Sequence, residues 1–130
     1  MATYGWRGNH TLNEWLFAEG YRFEFYQAVK ILEAMRQGSA PIGEGAEPAV
    51  EAVRFVSQVG MHFPSTDIDE VMEADAEHTP PVMRVNFMGL AGHFGPLPPP
   101  YTDLIIDRVR QKDTAFRDFL DIFNHRLISL

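Results

Sequence analysis

Apolar residues recur along this chain with two different periods, and the change of period divides it into elements. In "FEFYQAVKILEAMRQG", Phe25, Ala28, Val29, Leu32 and Met35 fall at i, i+3, i+4, i+7 and i+10. Glu24, Gln27, Lys30 and Glu33 take the opposite side, which predicts an amphipathic helix stopped by Gly38. An earlier helix is predicted from "TLNEWL", where Thr11 and Glu14 have capping-box spacing, Leu12, Trp15 and Leu16 form an apolar side and Gly20 is a stop or kink. "AVRFVSQ" alternates instead: Val53, Phe55 and Ser57 against Arg54 and Gln58. "VMRVNFMG" does the same, with Met83, Val85 and Phe87 inward and Arg84 and Asn86 outward. Between these two predicted strands, Ile68 to Met72 suits a third strand slightly better than a short helix.

The last third returns to helical spacing. Pro98 to Pro100 lead into "YTDLIIDRVRQK", prolines being tolerated where a first helical turn needs no N–H donor. Asp113 can cap the next helix, in which Phe116, Phe119, Leu120, Phe123, Leu127 and Leu130 form one stripe. The fold class expected is α+β: N-terminal helices, a small antiparallel sheet of two or three strands, and C-terminal helices. Residues 1–130 read as a single domain, with residues 39–51 as a flexible connector rich in turn formers. The stripe is still running at Leu130 with no helix stop signal, so the expectation is the N-terminal part of a longer polypeptide.

Charge narrows the function classes. The net charge of -7 is local: residues 44–77 hold nine acidic side chains against Arg54 alone, while residues 78–130 hold six basic and five acidic. No basic stripe offsets that acidic segment, which speaks against nucleic acid as a partner. The absence of cysteine excludes disulfides, thiolate metal sites and a cysteine nucleophile. The opening MATYGWRGNH lacks the order of a secretory signal, and no apolar run approaches the roughly 20 residues that span a bilayer. A cytoplasmic protein without membrane insertion is the expectation.

Candidate chemistry is sparse. His10, His62, His78, His93 and His125 show no i, i+3 or i, i+4 pairing and no zinc-protease spacing. "GLAGHFG" has glycines but not the Lys and Ser/Thr of a phosphate loop. Asp103, Asp107, Asp113, Asp118 and Asp121 lie among arginines at helical spacings that suit surface ion pairs. No serine elbow is present. The reading is a non-enzyme without catalytic residues, cofactor or metal. The alternative is a small-molecule or metal-binding enzyme domain using the glycine loop with His93 and His62.

One stretch asks for a different explanation. From Phe87 to Tyr101 there is no charged side chain, and Gly89, Gly92 and Gly95 alternate with apolar residues before Pro96, Pro98, Pro99 and Pro100. Such a segment is either a tight strand-to-helix linker packed on its own domain or a preorganised surface for another chain, because a rigid, apolar segment loses little entropy when it is covered. On the second reading, the candidate partner-binding residues are Phe94, Pro96, Leu97, Pro98 and Tyr101. Phe23 and Tyr26 join them from the aromatic cluster that opens the second helix.

"FEFYQAVKILE", "AVRFVSQ" with "HFPSTDI", "VNFMGLAGHFGPLPPPYTDLIIDR" and "DTAFRDFLDIFNHRLISL" occur in an order and spacing that resembles the TssG (ImpH, VasB) family of type VI secretion baseplate subunits. The likeness covers almost everything after residue 20; Gly60-Met61-His62 and Pro99-Pro100 depart from it. It implies a structural protein of a contractile injection machine. Its implied partners are two copies of a TssF-like subunit, with TssE, TssK and the VgrG spike nearby. The implied location is cytoplasmic, at the cytoplasmic side of the inner membrane when assembled. The family supplies no short active-site motif to carry onto these residues.

Overall fold

A computed structural model describes residues 11–60, 63–73, 80–92 and 95–130. Helix α1 (Leu12–Ala18) starts where the sequence placed it: Thr11 N–H donates to Glu14 Oε2 at 3.1 Å and Glu14 N–H to Thr11 Oγ1 at 3.3 Å. A 3-10 turn, Gly20–Arg22, leads to helix α2 (Phe25–Met35). Gly20 is buried because a Cβ there would lie 2.9 Å from Val71 Cγ2, so only glycine lets the turn ride on the sheet.

Three strands follow: β1 (Arg54–Ser57), β2 (Ile68–Met72) and β3 (Val82–Val85). Their spatial order is β1-β3-β2, with β2 antiparallel and β1 parallel to β3. The α+β class is as expected, but the sheet is mixed rather than antiparallel throughout. Consecutive strands do reverse direction; β3 inserts between β1 and β2 instead of adding outside β2, so β1 and β3 run the same way. The end of β1 and the start of β2 then lie two strand spacings apart, about 10 Å, at one end of the sheet. Helices α3 (Pro99–Arg110) and α4 (Ala115–Ser129) complete the described fold. Pro99 and Pro100 occupy the first turn of α3, and Asp113 Oδ1 accepts from Ala115 N–H at 3.2 Å at the start of α4.

The main core lies under one face of the sheet. Leu16 and Leu32 of the first two helices meet Phe55, Ile68, Val71, Met83 and Val85 of the strands. The period-two reading of β1 and β3 thus holds through Val85 and fails at Phe87, which lies beyond the strand and is exposed. A smaller cluster forms where α3 meets the start of α4, with Ala91, Ile105 and Leu120 packed with Leu90, Leu97 and Phe116.

Candidate interaction surface

Helix α4 is docked by its polar side. Strand β1 is an edge strand, and its N–H groups alternate in direction. Arg54 and Gln58 donate to Pro81 and Val85 carbonyls beside β3, each at 2.9 Å. Phe55 and Ser57 point the other way, and their N–H groups are buried. Phe55 N–H donates to His125 Nδ1 at 3.0 Å, and Ser57 N–H to Asp121 Oδ1 at 3.1 Å. Two strand residues advance about 6.7 Å and four helical residues about 6.0 Å, so side chains at i and i+4 of a helix can answer alternate amides of a strand. The side chains of α4 stand where another strand would pair.

The network continues on both sides. Asn124 Nδ2 donates to Asp121 Oδ1 at 3.0 Å, and Asn124 Oδ1 accepts from Leu90 N–H at 3.1 Å. Because Nδ1 of His125 accepts a hydrogen bond, its proton sits on Nε2, which donates to Glu51 Oε2 at 2.9 Å. His125 and Glu51 are 3% and 0% exposed, so no substrate reaches that pair. Burial pushes the His125 pKa down, against the opposing pull of Glu51. Burial likewise pushes Asp121 up, against the hydrogen bonds from Asn124 and Ser57 N–H. Asp121, expected in surface ion pairs, is in fact a buried acceptor because two donors need it there.

The connector of residues 39–51 is tied to the same helix. Ala40 forms an isolated parallel bridge with Glu51, and Arg126 Nη1 donates to Gly45 O at 3.0 Å. A Cβ on Gly43, whose φ is +84°, would collide with the Ser129 carbonyl, so glycine is required for that approach.

With its polar side inward, α4 turns apolar residues outward. Phe119, Ile122, Phe123 and Leu127 are all about half exposed or more, and the rings of Phe119 and Phe123 pack edge to face at 5.4 Å. Two open grooves flank them and share Leu127. One, of about 560 Å³, runs between Ile122 and Phe123 and the connector residues Ala46 and Pro48. The other, of about 600 Å³, runs from Leu127 and Leu130 to Tyr26, Phe87 and Met88. A contiguous apolar surface of this kind is characteristic of an interaction site.

The candidates taken from the sequence are divided by the structure. Tyr26 is 79% exposed and lines the second groove. Tyr101, Pro96 and Pro98 are exposed on the loop and at the start of α3. Leu97 packs on the smaller cluster and Phe23 on the main core. Phe94 lies outside the described residues. The loop backbone is held from within the domain, by Gly92 N–H on Thr102 Oγ1 at 3.0 Å and Leu97 N–H on Leu90 O at 3.0 Å. Ile122 and Phe123 are not among the sequence candidates; only the i, i+3, i+4 spacing of Asp121, Asn124 and His125 signals which side of α4 is docked.

His10, His62, His78 and His93 fall outside the described residues, and so does the histidine pair of the alternative enzyme reading. Among the described residues no group of three or more metal-ligating side chains converges, and no helix is long and apolar enough to cross a membrane. A family model described as "Type VI secretion, TssG" matches residues 19–130. Nothing matches among curated proteins or among solved structures.

Proposed function

Because the chain belongs to the type VI secretion TssG family, a family of the secretion baseplate, we propose that it is a cytoplasmic, non-enzymatic scaffold that binds a TssF-like subunit through the outer side of α4. The observation that carries this reading is the orientation of that helix: Asp121, Asn124 and His125 are buried, while Phe119, Ile122, Phe123 and Leu127 face out. Covering the exposed half of one such side chain is worth on the order of 1 kcal/mol, so a partner that covers several gains enough to anchor a complex. Tyr26 extends the surface across the second groove, and Tyr101 with Pro96 and Pro98 offers a separate exposed area for further baseplate contacts. The remaining neighbours proposed are a second TssF-like copy, TssE, TssK and the VgrG spike.

Co-purification with the TssF-like subunit tests the proposal. The double variant Phe119→Ser, Phe123→Ser should keep the melting temperature of the parent, since neither ring is in a core, yet lose the complex. Retention of the complex with a lowered melting temperature would refute the assignment.

A further inference from the structure

Away from the outer side of α4, a pocket of about 270 Å³ opens between the end of β1, β3, α3 and α4, lined by Arg84, Arg110 and Arg117, by Ile105, Ile106 and Val109, and by residues 57–59. We propose that this pocket docks an acidic–apolar peptide segment of a partner protein, with an aliphatic side chain on its floor and a neighbouring carboxylate held by Arg110.

The composition of the walls decides the ligand class. Ile105 is buried and Val59, Ile106 and Val109 are half-buried, beside the buried Ser57 and half-buried Gln58, whereas Arg110 is exposed, so the floor is mostly aliphatic and the rim carries Arg110. Three arginines from three different elements line it in a chain whose net charge is -7. Arg84 already pairs with Glu70 and lies 3.7 Å from Asp69, and Arg117 pairs with Asp118 at 3.3 Å. Arg110 has no ion pair among the described residues, which leaves one guanidinium fork available for a carboxylate. The volume lies just below the roughly 300–1,000 Å³ of small-molecule sites, room for an aliphatic side chain together with the flanking peptide. A free phosphate would answer the arginines and leave the aliphatic floor bare, whereas a Glu-Leu-Glu sequence satisfies both.

The test is a titration of the chain followed by NMR at the methyls of Ile105, Ile106 and Val109 and at Arg110 Nε–H. The probes are blocked Glu-Leu-Glu and Lys-Leu-Lys peptides and inorganic phosphate. Glu-Leu-Glu should shift both sets of signals saturably and Lys-Leu-Lys neither, while phosphate should move the arginine signal alone. Arg110→Glu should weaken peptide binding by roughly tenfold while the other methyl signals stay in place. No saturable shift, equal affinity in Arg110→Glu, or full displacement of the peptide by phosphate would each overturn the proposal.

Discussion

The sheet is covered in two ways, and the two coverings obey different rules. Its core face meets α1 and α2 through Leu16, Ala28 and Leu32, and there the apolar side of each helix is the docked side. Its β1 edge meets α4 through His125 and Asp121, and there the polar side is docked. A sheet face needs apolar area removed from water, whereas a sheet edge needs acceptors for its free N–H groups. A helix placed against an edge is therefore free to carry its apolar side outward. Amphipathicity tells which side of a helix is apolar; the surface it packs on decides which side is buried.

The largest expected effects set the two coverings against each other. Leu32→Ala should cost about 2–5 kcal/mol, and Leu32→Asn more, because the site only accepts apolar volume. Asp121→Ala should cost about 1–3 kcal/mol by stranding Ser57 N–H, but Asp121→Asn should recover most of it, since an amide oxygen also accepts. Chemical denaturation of the four variants checks the contrast. If Asp121→Asn is no better than Asp121→Ala, the acceptor explanation fails.

A smaller effect follows from pH. The folded His125 binds its proton less readily than the ordinary value of 6.5, so its contribution is fully present above that pH and is lost as pH falls toward the folded value. Asp121 works in the opposite sense: its raised pKa favours the folded state on acidification above the ordinary 3.8, and offsets part of the loss in more acidic solution. Melting temperature should therefore begin to fall below about pH 6.5, and His125→Gln should flatten that first decline. An unchanged slope in the variant would assign the loss to other groups. The smallest effect belongs to the exposed pair on the far edge of the sheet. Glu70→Gln, which breaks a contact with Arg84, should move stability by less than about 1 kcal/mol in the same denaturation series.

Local rules made much of the fold legible. The Thr11–Glu14 capping box, the α2 periodicity, the prolines opening α3 and the alternation in β1 all depend on neighbours in sequence, and each is where those neighbours predict. Strand order was not legible, because whether β3 adds outside β2 or between β1 and β2 depends on packing between distant residues. The same limit applied to the site. The stripe from Phe116 to Leu130 was visible, yet spacing alone made Asp121 look like a surface ion-pair partner. Its role depends on the Ser57 amide, 64 residues away in the chain. The histidine likewise gains meaning only through Phe55 and Glu51.

Backbone hydrogen exchange at Phe55 and Ser57 tests the central claim most directly. If α4 seals the β1 edge with His125 and Asp121, both amides should be protected to a degree similar to those of Arg54 and Gln58 on the β3 side. Asp121→Ala should then release Ser57 more than Phe55. Exchange of Phe55 and Ser57 at the rate of exposed loop amides, with Arg54 and Gln58 still protected, would contradict the polar docking of α4 and the outward assignment of its apolar side.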